Sequence, residues 1–229
     1  MIYGVGVGVG APEMITLKAL RVIRECDVIV LPAADGKNSR AYEAVRQVCP
    51  EAEEKELKFF EFPMTRDADT LEERRNRIAE ELGKLDSEGK KVAMLVIGDP
   101  NLYSTYSYIE MRLKRAGVDC ESISGINSFT ASAAAAGMPL VMDDEELHVI
   151  PGSAELERAI KLKGTKVFMK LGREKYKRLA CLIEPLENRG LVEVCAVEKC
   201  GLPEEKVYRG IKQIPEELAY LSTVIVKDK

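Results

Sequence analysis

The sequence predicts an α/β protein with two α/β domains, the first built on a mostly parallel sheet and the second on a mixed sheet. Strand-like apolar runs alternate with amphipathic helix patterns along the chain. The run at residues 92–97 is continuously apolar, which is typical of a parallel strand covered on both faces. A length of 229 residues, 46% of them hydrophobic, allows one large domain or two compact domains with real cores.

Local signals define the elements of the first half. Residues 2–9 form a strand with interleaved glycines, and residues 16–24 follow as an amphipathic helix. A strand at 28–31 ends at Pro32, and Ser39 caps the next helix. Further along are an extended segment at 57–62, a helix with Thr70 and Glu73 as a capping box, the strand at 92–97, and a helix with Leu102, Tyr106, Ile109 and Leu113 inside.

The second half alternates at shorter spacing, which favours the mixed sheet. A helix of small residues at 128–136 is followed by strands at 147–150, 167–171, 192–197, 207–211 and 223–226, with a helix carrying Leu179, Ile183 and Leu186 between the second and third. Gly117 and a short strand at 120–123 mark the boundary, so the predicted domains are residues 1–117 and 118–229.

Composition excludes several classes of function. The 34 basic and 38 acidic residues are spread evenly, without the clustered basic face of a nucleic-acid-binding protein. No apolar run is long enough to cross a membrane, and the first basic residue is Lys18, so the start has no signal-peptide pattern. Six cysteines without a C-x-x-C pair and one histidine, His148, favour free thiols and no metal site. We therefore expect a soluble, cytoplasmic protein.

The glycine-rich loop after the first strand satisfies a dinucleotide-binding pattern on paper, from Gly6 to Ala11. However, Pro12 interrupts the entry to the helix, and the second strand ends in Pro32 without the acidic residue that such folds place there. A nicotinamide site is therefore disfavoured. The glycines either permit a tight turn or let the backbone approach a bound ligand.

Two further loops are candidate binding segments. Gly98-Asp99-Pro100 follows a buried strand, at the edge where open α/β sheets bind ligands, and Asp99 can accept hydrogen bonds. The same tripeptide is also a common turn starter. The loop before the small-residue helix offers free amides at a helix N-terminus, although the small residues also suit tight packing alone.

Four segments together resemble the tetrapyrrole methylase family of S-adenosylmethionine-dependent methyltransferases: residues 4–18, 97–105, 125–140 and 198–205. The resemblance implies two α/β domains with S-adenosylmethionine in the cleft between them, a tetrapyrrole substrate and a homodimer. The first loop departs from the family pattern, with Gly8-Val9-Gly10-Ala11 in place of Gly-Pro-Gly-Asp, and Ser124 replaces the usual proline before Gly125. Main-chain contacts do not depend on these side chains.

The resemblance also implies which residues form the site. Those matching cofactor-contacting positions are Val9, Gly10, Gly98, Asp99, Leu102, Asn127, Ser128, Leu171, Cys200 and Thr223. Asp99 and Tyr103 are the candidate catalytic residues, since a carboxylate or a tyrosine-bound water could accept the proton lost after methylation. Candidates for holding the substrate, whose carboxylates attract cations, are Tyr103, Arg66, Arg40 and Lys37. Each of these charges also fits a solvated surface.

Within the family, three segments resemble the branch that methylates carbon 20 of precorrin-2 or cobalt-precorrin-2 in cobalamin biosynthesis. They are residues 32–42, 62–65 and, above all, 102–108. The alternatives are another member of the family, such as a uroporphyrinogen III methyltransferase, or a non-catalytic module that binds S-adenosylmethionine without transferring its methyl group.

Overall fold

The computed structural model describes residues 1–32, 39–62, 65 and 67–229. The chain divides into two compact units, Met1–Asn127 and Ser128–Lys229. Each unit has its own sheet and its own hydrophobic core.

The first unit is an alternating α/β fold. In chain order its elements are β1 (Ile2–Gly6), α1 (Leu17–Glu25), β2 (Val28–Pro32), α2 (Arg40–Val48), β3 (Glu56–Phe60), α3 (Ala68–Ser87), β4 (Val92–Val96), α4 (Thr105–Arg115) and β5 (Cys120–Ile123). The strands lie in the order β3-β2-β4-β1-β5, and every neighbouring pair is parallel. The predicted parallel sheet is confirmed.

Helices cover both faces of this sheet. On one face α1 and α2 pack against apolar side chains that include Val5 and Ile29, and on the other α3 and α4 pack against a set that includes Met94. The neighbouring strands β1 and β4 therefore lead into helices on opposite faces. Such a reversal opens a crevice at the carboxyl ends of the two strands, which is where open α/β sheets bind ligands.

Side-chain caps set the helix starts. The Ser39 hydroxyl accepts a hydrogen bond from the Tyr42 amide and caps α2, as predicted. The capping box predicted at Thr70 and Glu73 is wrong, because α3 begins at Ala68 and its cap is Asp67. The Asp67 carboxylate accepts a hydrogen bond from the Thr70 amide at 2.8 Å. A carboxylate also complements the positive end of the helix dipole, which favours this earlier start.

The boundary between the units lies later than predicted. Strand β5 pairs with β1, with Ile2 opposite Cys120 and Val5 opposite Ile123. It is therefore the edge strand of the first sheet, and a division after Gly117 would separate it from its own sheet. The first unit ends instead at Asn127.

The second unit has a mixed sheet, as predicted. Its elements are α5 (Ser128–Ala136), β6 (Leu147–Pro151), α6 (Leu156–Ala159), β7 (Thr165–Met169), α7 (Arg173–Asn188), β8 (Val192–Glu198), β9 (Lys206–Arg209) and β10 (Ser222–Asp228). The order is β6-β7-β10-β8-β9, with β6 and β7 parallel and the other pairs antiparallel. Helix α7 packs on one face, and Ala133 of α5 packs on the other. The short helix α6 was not predicted.

His148 lies in β6, with Nε2 2.9 Å from the carbonyl oxygen of Lys163, which is the setting of a structural histidine.

Across the residues that the structure describes, no helix is both long and apolar enough to span a membrane.

Candidate functional site

The loops after β1 and β4 are joined at the carboxyl edge of the first sheet. The Gly98 amide donates a hydrogen bond to the Gly8 carbonyl at 2.7 Å, and the two residues form an isolated antiparallel bridge. The Val7 amide donates to the Val96 carbonyl at 2.9 Å just before it. The glycine-rich loop and the Gly98-Asp99-Pro100 loop are therefore held side by side at the crevice.

A third loop, after β5, is in backbone contact with the other two. A Cβ atom at Gly6 would lie 2.6 Å from both the Gly125 nitrogen and the Gly98 carbonyl oxygen. Only glycine fits, because the atoms in the way belong to main chain rather than to a side chain that could rotate. Sequence patterns predict all three loops at the site, but the only sequence signal for this contact is a glycine in each segment.

Asp99 links two of these loops. Its Oδ1 accepts hydrogen bonds from the Asn101 amide at 2.8 Å and from the Asn101 side-chain amide at 3.0 Å, while Oδ2 accepts from the Gly125 amide at 3.2 Å. The residue is only 9% exposed. A buried carboxylate bound to three donors fixes the geometry of the loops around it. Asn101, which supplies two of those donors, was missed by the sequence analysis.

The segment from Gly98 to Tyr103 is tightly turned. Gly98 has φ of +81°, and a Cβ built there would meet nothing within 4 Å, so the backbone borders open space. The Leu102 amide donates to the Asp99 carbonyl at 3.2 Å. Tyr103 also has a positive φ, 48°, and its side chain is 41% exposed. A non-glycine residue with such a φ is uncommon and marks a constrained turn, here one that presents an aromatic side chain.

The glycine-rich loop does not open a helix. After the buried residues Val9 and Gly10, a single 3-10 turn spans Pro12–Met14, and α1 begins only at Leu17. The helix N-terminus that holds the pyrophosphate in dinucleotide folds is therefore displaced from the glycines. This geometry agrees with the sequence argument against a nicotinamide site.

Three predicted residues of the second unit lie at one edge of its sheet. Thr223, the second residue of β10, lies opposite Met169 of β7, and Leu171 follows Met169 by two residues along the chain. Thr223 is also opposite Val197 of β8, the strand that leads to Cys200. Burial raises the pKa of the Cys200 thiol to about 11, so it is a neutral, inert group at neutral pH.

The second unit also contains a buried polar side chain beside Cys200. Ser132 of α5 is fully buried, and its hydroxyl interacts with the Cys200 thiol, which lowers the pKa of that thiol and offsets part of the effect of burial. Helix α5 packs against β8 and β10, which border the edge that carries Cys200 and Thr223. Sequence reasoning missed this group within a run of small residues.

The remaining candidates are placed as follows. Asn127 ends the first unit, and the next residue, Ser128, begins α5. Arg40 is exposed at the first position of α2. Lys37 and Arg66 lie outside the described residues. Among the residues described, no group of three or more His, Cys, Asp or Glu side chains is arranged to bind a metal ion.

Comparison with known proteins gives a consistent result. A sequence model of the family "Tetrapyrrole (Corrin/Porphyrin) Methylases" matches residues 1–213. The chain is 38% identical to the probable cobalt-precorrin-2 C(20)-methyltransferase of Methanocaldococcus jannaschii, over 99% of this chain and 95% of the relative. It is 32% identical to the cobalt-precorrin-2 C(20)-methyltransferase of Salmonella typhimurium, over 98% and 95%.

A solved structure has the same fold. It is the uroporphyrin-III C-methyltransferase of Thermus thermophilus complexed with S-adenosylhomocysteine, which superposes with a TM-score of 0.68 at 20% identity, covering 99% of this chain and 96% of that one. The family match spans most of the chain, and both relatives match along nearly its whole length. The chain therefore belongs to the tetrapyrrole (corrin/porphyrin) methylases.

Proposed function

We propose that this protein is an S-adenosylmethionine-dependent methyltransferase that methylates carbon 20 of cobalt-precorrin-2, a step of cobalamin biosynthesis. The observation that carries this proposal is the near full-length similarity to two relatives named for that reaction, at 38% and 32% identity. Both names specify the cobalt complex, which supports the cobalt-containing substrate over metal-free precorrin-2.

The loops of the first unit fit S-adenosylmethionine. Gly98 borders open space on a backbone conformation that favours glycine, and the adjoining loops are held by main-chain hydrogen bonds. Such a cradle suits a ligand recognised largely by backbone amide and carbonyl groups. We assign Val9, Gly10, Gly98, Asp99, Leu102 and Asn127 to this part of the site. When bound, the cofactor supplies an electrophilic methyl group on a sulfonium ion.

The second unit contributes its own assigned residues. The family resemblance assigns cofactor contacts to Ser128, Leu171, Cys200 and Thr223. Leu171, Cys200 and Thr223 belong to segments that end or begin at one edge of the second sheet, and the neutral Cys200 thiol suits packing rather than nucleophilic attack.

Catalysis requires alignment more than activation of a nucleophile. Holding the methyl donor and a nucleophilic carbon in line contributes up to about 7–11 kcal/mol in well-oriented systems. Because three donors of its own chain already bind the Asp99 carboxylate, we assign Asp99 to shaping the loop. Tyr103, exposed on a constrained turn, is the better candidate to position the macrocycle and the water that takes its proton.

Product analysis tests the proposed reaction. The protein is incubated with methyl-labelled S-adenosylmethionine and, separately, with cobalt-precorrin-2, precorrin-2 and uroporphyrinogen III. We expect one labelled methyl group on carbon 20 of cobalt-precorrin-2, identified by mass spectrometry and NMR. Methylation of uroporphyrinogen III alone contradicts the assigned substrate. Cofactor binding without formation of S-adenosylhomocysteine on any tetrapyrrole identifies a non-catalytic module instead.

Calorimetric titration with S-adenosylhomocysteine tests the residue assignments. Asp99→Ala removes the acceptor of three hydrogen bonds and is expected to weaken binding by about 10- to 100-fold. Asp69→Ala, an exposed residue of α3, is the matched control and should bind as the wild type does. Ser128→Trp adds bulk and should abolish binding. Unchanged affinity in Asp99→Ala or Ser128→Trp removes that residue from the site.

Turnover separates the role of Tyr103 from cofactor binding. Tyr103→Ala is expected to lower the rate with cobalt-precorrin-2 while leaving the affinity for S-adenosylhomocysteine unchanged. An equal loss in both measurements would place Tyr103 against the cofactor instead.

We also infer a cytoplasmic homodimer. The family resemblance supports the dimer, and six free cysteines suit a reducing compartment. Light scattering at micromolar concentration should give twice the 25.4 kDa chain mass. Cell fractionation, with recovery in the cytosolic fraction, tests the location.

A further inference from the structure

Helix α3 carries an arginine side chain, Arg75, in line with its apolar face. Ile78, Leu82 and Leu85 are buried, and Arg75 precedes Ile78 by one helical turn on the same stripe. The Arg75 Nε atom is buried and has no hydrogen-bond partner within the described parts of the chain. A solvated surface arginine would lie on the opposite face of the helix, so this position needs another explanation.

The neighbouring arginines have carboxylate partners. Arg74 pairs with Glu61 at 3.4 Å, and Arg77 pairs with Glu81 at 3.3 Å. Arg112 of α4 pairs with Glu72 and donates to the Asn76 side chain at 2.7 Å. In the described segments no carboxylate lies within ion-pairing distance of Arg75.

Arg75 is instead stacked on an aromatic ring. Its guanidinium carbon lies 3.8 Å from the centroid of the Tyr108 ring, and Tyr108 is 47% exposed. Stacking engages the face of the guanidinium, whereas its N–H groups donate in the plane. The contact therefore orients Arg75, which as a whole residue is half-buried, and its terminal Nη groups, unlike the buried Nε, form the edge suited to a planar carboxylate bound through two parallel hydrogen bonds.

This pair lies at the same edge of the first sheet as the proposed cofactor loops. The ion pair between Arg74 and Glu61 places this turn of α3 beside the carboxyl end of β3. Tyr108 lies in the first turn of α4, and the preceding residue, Ser107, donates its hydroxyl to the Pro100 carbonyl at 2.8 Å. Pro100 belongs to the Gly98-Asp99-Pro100 loop. Both contacts lie within the first unit.

We propose that Arg75, stacked on Tyr108, binds a peripheral carboxylate of the tetrapyrrole substrate. This inference rests on the proposed function, because precorrins carry their acetate and propionate groups around the rim of the macrocycle. A rim carboxylate supplies the ion-pair partner that the described residues do not provide for Arg75. It also orients the macrocycle relative to the loops that hold the methyl donor.

Binding of a fluorescent porphyrin tests this site without requiring turnover. Uroporphyrin III, which carries eight carboxylates, is titrated into wild-type protein, Arg75→Gln and the matched control Arg77→Gln, with far-UV circular dichroism to confirm folding. Loss of a charge-assisted bidentate contact should raise the Kd of Arg75→Gln by about 10- to 100-fold. The exposed Arg77→Gln should bind about as tightly as the wild type.

Two further variants test the geometry of the stack. Tyr108→Phe keeps an aromatic face and should bind like the wild type, whereas Tyr108→Leu should lose several-fold in affinity. Arg75→Lys keeps the charge without the planar fork and should fall between wild type and Arg75→Gln. Affinity for S-adenosylhomocysteine should be unchanged in Arg75→Gln, and its KM for cobalt-precorrin-2 should rise while kcat stays constant.

Two outcomes overturn the proposal. In the first, Arg75→Gln and Arg77→Gln bind uroporphyrin III equally well. In the second, Arg75→Gln changes the mass measured by light scattering, which would assign the pair to an interface between copies of the chain. The porphyrin titration is independent of methylation, so failure of the C20 reaction and failure of this site are separate results.

Discussion

Replacing Gly6 with alanine tests whether the close approach of three loop backbones is needed for folding and binding. The new Cβ would lie 2.6 Å from the Gly125 nitrogen and the Gly98 carbonyl oxygen, and 2.8 Å from the Gly125 Cα. Restoring ordinary contact at 3.4 Å requires the surrounding main chain to move by about 0.8 Å. None of these atoms belongs to a side chain that could adopt another rotamer.

The expected loss of stability follows from two opposing effects. Overpacking at a rigid position costs about 3 kcal/mol, the upper end of the usual range. Alanine in a strand recovers about 0.5–1 kcal/mol of backbone entropy relative to glycine. The net decrease in the free energy of unfolding of Gly6→Ala is therefore about 2 kcal/mol. Because the displaced loops include Asp99 and Gly98, affinity for S-adenosylhomocysteine should fall as well.

Urea unfolding followed by far-UV circular dichroism measures this effect, since the chain has no tryptophan. Gly83→Ala in α3 is the control, because its Cβ would meet only a Val118 methyl group at 3.9 Å. It should raise the free energy of unfolding by about 0.5–1 kcal/mol, as expected for alanine in a helix interior. A Gly6→Ala protein as stable as the wild type, or both variants shifting in the same direction, would refute the reasoning.

Three further predictions concern single side chains. Hydrogen bonds from the hydroxyl and amide of Thr70 lower the pKa of Asp67, so Asp67→Ala should reduce the free energy of unfolding at neutral pH. In urea unfolding, the difference in free energy between this variant and the wild type should vanish as the pH falls through the lowered pKa of Asp67. Of the six cysteines only Cys181 is exposed, so one thiol should react promptly with Ellman's reagent, and Cys181→Ser should abolish that phase. The hydrogen bond that the Tyr208 hydroxyl donates to Glu198 raises the pKa of Tyr208 to about 12, so Glu198→Gln should lower this pKa towards its ordinary value. Ultraviolet titration measures the change, with Tyr208→Phe as the reference that lacks the Tyr208 signal.

Local patterns were enough to predict most of the elements. The bounds predicted for β5 and for the small-residue helix α5 agree with the structure, and Ser39 caps α2 as expected. These features depend on residues close together in sequence. The start of α3 was wrong because Asp67 and Thr70 are both good capping residues, and the choice between them depends on how the chain leaves β3.

Long-range contacts explain what the sequence analysis missed. It placed Asp99 at the edge of the sheet, because a loop after a buried parallel strand lies there. It did not predict that Gly125 donates to that carboxylate, since the two residues are brought together only when β5 pairs beside β1. Likewise, the position of Arg75 on an apolar stripe is visible in the sequence, but Tyr108 lies on another helix.

The hydrogen bond from the Gly98 amide to the Gly8 carbonyl has a consequence for spectroscopy. The bond exists only while the two loops lie together, so exchange of this one amide proton with solvent reports how often they separate. Glycine amide nitrogens resonate apart from most others, which makes the signal easy to follow in a labelled sample. A ligand that bridges both loops should slow this exchange in proportion to its occupancy, whereas one that binds elsewhere should leave the rate unchanged.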